Sequence, residues 1–369
     1  MKSVRRRVLF LMPNLAGGGA ERVIVLLLRN LDRSRFEPHL ALVGAAGPFL
    51  KDVPADIPLH DLNAKRVRRA FPAIIRLSWK LKPQVIHSVM GELNMALALS
   101  RPFLPPGLRL LMREDTSPSA LNAQGRKHTL LWNWLYRRLY PRADRIICVA
   151  DYVLNDLAEN FGIAASKMTR IYNPVDLDLA RRLAEVGGNP YRGQGPHLVA
   201  AGRLAKEKGF TVLLDAMPLV RAAISDVDLT MLGDGPLKPD LLAQRERLGL
   251  NEAVHLIGFL ANPYPYLRHA DLFVLPSHFE GLPLVVLEAL AVGTPVVASD
   301  CPGALREILA DCPLARLVPP SDPKALANTI VVALNSARTV LKPDPRLDSF
   351  LSRFDVRTVM RDYEAILAG

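Results

Sequence analysis

The chain reads as an α/β protein built from two Rossmann-like, doubly wound parallel-sheet domains. Short runs such as Val8 to Met12 and Leu272 to Leu275 are apolar without alternation, as strands covered on both faces are. Segments with helical apolar spacing lie between them. The alternation breaks once, over a loose stretch from Gly187 to Pro196 with four glycines and two prolines, and then begins again. Repeated strand–helix units of this kind imply parallel sheets.

In the first domain the expected strands are Val8 to Met12, His39 to Val43, Val85 to Ser88, Leu108 to Met112 and Arg145 to Ala150. Helical spacing covers Glu21 to Leu31, Ala70 to Leu81, Asn94 to Ser100 and Thr129 to Tyr140. The second domain shows strands at Leu198 to Ala201, Leu229 to Leu232, His255 to Ile257, Leu272 to Leu275, Pro295 to Ala298 and Arg316 to Val318. The expected division is residues 1–175, a linker at 176–196, residues 197–345, and a C-terminal helix within 346–369 that packs back on the first domain through Phe350, Phe354 and Tyr363. Two such domains facing each other would leave a cleft at the carboxyl ends of their strands, where these folds bind ligands.

Composition narrows the function classes. The longest membrane-span candidate, Val23 to Leu28, is six apolar residues between two arginines, far too short to cross a bilayer. The opening MKSVRRRVLFLMPNLAGGGA imitates a signal peptide, but its apolar run ends at Pro13 and suits a buried first strand. Three cysteines, Cys148, Cys301 and Cys312, form no disulfide framework and suit a reducing, cytoplasmic compartment. Residues 1–175 hold 27 Lys/Arg against 13 Asp/Glu, a balance of +14, whereas the remainder is at −3. Such asymmetry points to an anionic partner for the basic half, with a solvated basic face that has no partner as the alternative. Cations beside Trp79, Trp132, Trp134 and Tyr136 suit an anionic membrane surface, which would make the chain peripheral on the inner face of the cell membrane. No RNA-binding or helix-turn-helix signature points to nucleic acid.

Glycines and charges at the strand–helix turns carry the chemistry. Gly17-Gly18-Gly19-Ala20-Glu21 follows the first strand, where free helix N–H groups can receive a phosphate. The spacing is not the dinucleotide fingerprint, which counts against a dehydrogenase. Gly202-Arg203-Leu204-Ala205-Lys206-Glu207-Lys208-Gly209 follows the first strand of the second domain, so Arg203 and Lys208 can converge on one diphosphate. In LFVLPSHFEGLPLVVLEALAVGTPVVA (272–298) two carboxylates, Glu280 and Glu288, stand eight residues apart in an otherwise apolar unit. Buried carboxylates need partners; ligand hydroxyls would serve, and so would structural lysines or arginines. Asp176/Asp178 and Asp226/Asp228 have the spacing of a metal-binding acid pair, but one lies in the linker and the other just before a strand, so both are assigned to structure.

Together these residues resemble the family 4 retaining glycosyltransferases of GT-B fold. The resemblance spans nearly the whole chain through GGGAER (17–22), YNPVD (172–176), GRLAKEKG (202–209), LGDGP (232–236), ADLFVLPS (270–277) and EGLPLVVLEALAVGTPVVAS (280–299). It implies an acceptor-binding first domain, a second domain that binds a nucleotide sugar, and hexosyl transfer with retention, without a metal and without any cofactor beyond the donor. By that resemblance Arg203 and Lys208 neutralise the donor diphosphate, Glu288 accepts the ribose hydroxyls and Glu280 contacts the transferred sugar. The backbone of Gly281, Leu282 and Leu284 faces phosphates and sugar, Gly18 and Gly19 meet the diphosphate, and Gly258-Phe259 meets the base. Arg113 is the expected cleft-facing residue after the fourth strand, with His87 as the alternative. The expected product is a glycan or lipid-linked saccharide of a bacterial-type surface polysaccharide. Two rival readings stay open: a sugar-nucleotide epimerase of similar architecture, which needs no acceptor, and a non-catalytic nucleotide-sugar-binding protein.

Overall fold

Each apolar run becomes a parallel strand, and the strand order decides where loops gather. The structure, a computed structural model, describes residues 5–16, 18–64, 66–193, 195–337 and 345–369. Residues 1–4 of the signal-like opening, Gly17 of the first glycine turn and Lys65 of the basic run lie outside the described residues. The chain divides into two units, Met1–Pro174 with Val356–Gly369, and Val175–Asp355.

The first unit holds seven strands: β1 (Arg6–Met12), β2 (Phe36–Leu42), β3 (Leu59–Asp61), β4 (Val85–Val89), β5 (Arg109–Glu114), β6 (Arg145–Cys148) and β7 (Met168–Arg170). Their order is β3-β2-β1-β4-β5-β6-β7, parallel throughout. Val8 to Met12 of β1 are wholly buried near the middle of this sheet. Pattern analysis does not find β3 and β7, because a three-residue edge strand has no period to read. It also ends β5 too early. Arg113 and Glu114 pair with Ile147 and Cys148 of β6 and so continue the strand.

The second unit has six parallel strands: β8 (His197–Ala201), β9 (Asp228–Leu232), β10 (Val254–Gly258), β11 (Leu272–Leu275), β12 (Val296–Ser299) and β13 (Ala315–Val318). The order β10-β9-β8-β11-β12-β13 reverses direction at β8 and β11. Loops from neighbouring strands diverge at such a switch point and leave a crevice beyond the strand ends.

Two boundaries differ from expectation. Residues 176–196 are not simply a linker: helix Leu177–Ala184 lies there, capped by Asp176 Oδ1, which accepts from Leu179 N at 2.8 Å. Leu177, Ala180 and Ala184 are buried, so this helix belongs to the second unit's packing. The tail is two helices, not one. Pro345–Ser352 belongs to the second unit and Val356–Ala368 to the first. Phe350 and Phe354 pack within the second unit under the Arg353 guanidinium. In the first unit Glu364 holds the last helix by accepting from Asp32 N and pairing with Arg35, each at 2.9 Å. Among the described residues no helix is long and apolar enough to cross a membrane.

Candidate active site

The loops that follow β8, β9, β11 and β12 interlock at the switch point of the second sheet. Gly209 takes a left-handed φ of 62° and lies on the carbonyl of Pro276, at the end of β11. Gly233, after β9, lies on the carbonyl of Gly202. Glu280 N donates to Pro302 O at 3.0 Å, and Ala304 N donates to Gly281 O at 3.0 Å. His278 N donates to Glu207 O at 2.9 Å, which ties the β8 loop to the β11 loop.

This scaffold brings two of the expected residues into contact. Lys208 Nζ donates to Glu280 Oε1 at 2.6 Å. Ser277 Oγ donates to the same oxygen, also at 2.6 Å. The carboxylate is buried, and both donors hold one oxygen, which leaves Oε2 with no hydrogen bond among the described residues. Two charge-compatible donors on one side fix the plane of the group and direct its second oxygen. A structural lysine thus answers part of Glu280's need for a partner. Cys301, buried beside this pair, has its thiol pushed up to about 12, first by burial and then by the Glu280 charge.

Glu288 is held separately. It lies within helix Leu284–Ala291, whose other residues are Leu, Val and Ala, and the apolar face buries it. Its Oε1 accepts from the buried Tyr264 hydroxyl at 3.1 Å. Tyr264 opens helix Tyr264–His269, which packs on Leu284–Ala291. Arg203 is exposed, with no ion pair among the described residues. Leu282 and Leu284 bury their side chains at the entry to the helix, where Pro283 is the N-cap and no side chain caps the first turn. Gly258 ends β10 at a φ of 93°, and the Phe259 ring after it is exposed. Sequence reading missed Ser277 and Tyr264. Ser277 sits three residues before Glu280 in the same turn, a spacing visible in the sequence. Tyr264 reaches Glu288 across 24 residues, through helix packing alone.

In the first unit the structure corrects the expected roles of Arg113 and His87. Arg113 is fully buried within its own unit, not open at the strand end; its Nη2 donates to Asn173 Oδ1 at 2.5 Å and pairs with Asp115 at 2.6 Å. His87 is buried between Phe10 and Tyr363, with ring centroids 5.4 and 5.9 Å away. Burial, and then the Arg113 charge, push its pKa down to about 3, so the ring is neutral. The reason is strand parity. His87 pairs with Leu111, two residues before Arg113, so both point to the sheet face that helix Val356–Ala368 covers with Tyr363. The adjacent Glu114 turns to the other face, where the Tyr140 hydroxyl donates to it. Burial raises its carboxyl to about 8, which keeps it protonated at neutral pH. Gly18 caps helix Gly19–Asn30 without a side-chain bond, and the Glu21 carboxylate folds back over it. Of the acid pairs, Asp176 caps its helix and Asp228 pairs with Arg221 at 3.5 Å.

Two parallel-sheet α/β units, the second with its loops gathered at a switch point, make up the GT-B fold. A family model described as glycosyl transferases group 1 matches residues 195–336, and one described as glycosyltransferase family 4 matches residues 17–179. The chain belongs to this family. It is 30% identical over 289 residues to a glycogen synthase of Mycobacterium tuberculosis, covering 76% of this chain and 67% of that one. Over 366 residues it is 28% identical to the N-acetylgalactosamine-N,N'-diacetylbacillosaminyl-diphospho-undecaprenol 4-alpha-N-acetylgalactosaminyltransferase of Campylobacter jejuni, covering 96% and 98% of the two chains. The Anabaena protein Alr3699/HepE, solved with UDP and glucose, superposes with a TM-score of 0.81 at 20% identity, covering 99% of this chain and 100% of that one.

Tyr264→Phe isolates the brace on Glu288. It removes one hydrogen bond to a buried carboxylate, worth about 1.5–3 kcal/mol. For the donor-binding role expected of Glu288 above, the outcome is a donor KM raised about tenfold with kcat little changed, since such a brace would act on binding in both ground and transition states. Steady-state kinetics with varied donor would show it; a loss confined to kcat would contradict this role.

Proposed function

We propose that the chain is a metal-independent retaining glycosyltransferase. It moves a hexosyl group from a nucleoside-diphosphate donor to a glycan or lipid-linked saccharide during assembly of a bacterial-type surface polysaccharide. The single observation that carries the reading is the Lys208–Glu280–Ser277 centre at the switch point, because its charges match a diphosphate on one side and a sugar hydroxyl on the other. The Campylobacter relative, named for a diphospho-undecaprenol acceptor, supports the lipid-linked alternative and an anionic membrane surface as partner.

In this reading negative charge grows on the leaving diphosphate as the glycosidic bond breaks. Lys208, the exposed Arg203 and the uncapped N–H groups at the start of helix Leu284–Ala291 stabilise that charge where it forms. Glu280 offers Oε2 to a hydroxyl of the transferred sugar. Glu288 accepts the ribose hydroxyls beside Tyr264, and the backbone at Gly281, Leu282 and Leu284 meets phosphate and sugar. The base lies against Gly258-Phe259. Retention has the acceptor attack from the leaving-group side.

The test is thermal stabilisation by a panel of UDP-, GDP- and ADP-sugars. A ligand that binds only the folded state at 100 times its Kd adds about 2.7 kcal/mol. One nucleotide class is expected to raise the melting temperature of the wild type and to do so less in Glu288→Ala. A panel with no effect at saturating concentration overturns the proposal. Sugar transfer that appears only when an acceptor is supplied separates it from an epimerase.

A further inference from the structure

The basic excess of the first half is concentrated in one stretch and, in the fold, largely on one side of one sheet. Residues 65–142 hold fifteen Lys/Arg against three Asp/Glu. Of these, Arg113 and Glu114 are buried and Asp115 pairs with Arg113, which leaves Glu92 as the exposed acid. The connections from β3 to β4, β4 to β5 and β5 to β6 all run in the same direction across the sheet. Right-handed crossovers therefore place their helices on the same face. Helix Gly91–Ser100 accordingly packs against Phe71–Leu81 and Thr129–Leu139.

This face carries large apolar side chains in water. Trp79 is 50% exposed, Phe103 57%, Leu130 86% and Trp134 55%. Trp79 Nε1 donates to the carbonyl of Phe103 at 2.8 Å, and the Phe71 ring meets Phe103 edge-on at 5.8 Å, so these three form one patch. Leu130, Leu131 and Trp134 stand close together on helix Thr129–Leu139. Exposed Arg76, Lys80 and Lys82 flank the first patch, and Lys127, Arg137 and Arg138 the second. Of the other aromatics in this region, Tyr136 is buried against Tyr140 and Phe161, and Trp132 lies beneath the Arg126 guanidinium.

We infer that this face of the first unit, with Trp79/Phe103 and Leu130/Leu131/Trp134 as its apolar tips, docks on an anionic lipid bilayer. The inference rests on the membrane reading above and assigns it to particular residues. Charge complementarity selects the occupant. Tryptophan and leucine tips ringed by lysine and arginine match the boundary between acidic headgroups and acyl chains. A second copy of the same face would instead bring two strongly basic surfaces together.

The test is flotation of the full chain with phosphatidylcholine vesicles, with and without phosphatidylglycerol, at low and raised salt. Wild type is expected to float with phosphatidylglycerol vesicles, to lose binding as salt rises, and to shift its tryptophan emission to the blue. Leu130→Ser/Leu131→Ser/Trp134→Ser and, separately, Arg76→Glu/Lys80→Glu are each expected to weaken partitioning about tenfold or more, while circular dichroism stays that of wild type. The charge variant alone decides the matter if the apolar one does not fold. Wild-type flotation that both variants match overturns this face but leaves the membrane reading standing. Wild type that fails to float on acidic vesicles at low salt overturns both. Self-association abolished by the same variants, without vesicle binding, assigns the face to a second copy and overturns the inference.

Discussion

Lys208→Ala is expected to lower kcat by roughly 100- to 1,000-fold, the loss that follows when a fixed donor is removed from charge developing in a transition state. The same substitution has a second effect. Lys208 is the cation on a buried carboxylate, and Ser277 alone remains as a donor to Glu280 once it is gone. Breaking one side of a well-buried pair costs about 3–5 kcal/mol. Lys208 keeps a fifth of its side chain in water, so solvent screening reduces the expected cost to about 1–2 kcal/mol. Stability and catalysis therefore fall together in the single variant. The double variant Lys208→Ala/Glu280→Ala separates them. It is expected to regain most of the lost stability, because no unpaired carboxylate remains, and to regain no activity. Thermal melts and single-turnover kinetics on the wild type and both variants read both quantities. A Lys208→Ala enzyme with near-normal kcat would remove Lys208 from the chemistry and leave it a structural partner of Glu280.

Gly303→Ala is expected to cost the second unit a large share of its stability. Gly303 has a φ of 141°, and a Cβ there would run into the backbone carbonyl of Glu280. The two loops in contact at this point are already joined by backbone hydrogen bonds on either side, Glu280 N to Pro302 O and Ala304 N to Gly281 O. Neither can yield without moving Glu280. A backbone clash added to a strained φ costs about 3 kcal/mol or more. In a unit of this size that corresponds to a fall in Tm on the order of 6–12 °C. Gly249→Ala is the matched control: its φ is 68°, but nothing lies within 4 Å of the added carbon. Its cost should be the conformational one alone, ~1 kcal/mol. Equal effects of the two substitutions, measured by calorimetry, would show that the close approach of the loops contributes nothing.

Much of the site could be read from residues close together in the chain. Glu280, Gly281 and the helix that begins at Leu284 belong to one turn and its continuation, and local spacing reveals such units. The pairing of Lys208 with Glu280 could not be read, since 72 residues separate them and only the adjacency of β8 and β11 closes the gap. Tyr264 was hidden for the same reason. Arg113 and His87 show a different limit. Arg113 stands near the end of its strand, where a functional residue is expected, and His87 in the middle of the neighbouring one, and strand parity turns both toward a helix that comes from the far C-terminus of the chain. Alternation tells which residues share a face, but not which face another element will cover.

The sequence by itself determined the class of fold, the two-sheet plan, the family, and the concentration of positive charge in the first half. These depend on periodicity, composition and motif, which are properties of neighbouring residues. Tertiary structure alone decided that one lysine and one serine hold the same carboxylate oxygen, that the interior claims Arg113 and His87, and that cations and exposed tryptophans share one side of a sheet. Those outcomes follow from the order in which strands pair and from the handedness of their crossovers, which bring together side chains that the chain itself keeps far apart.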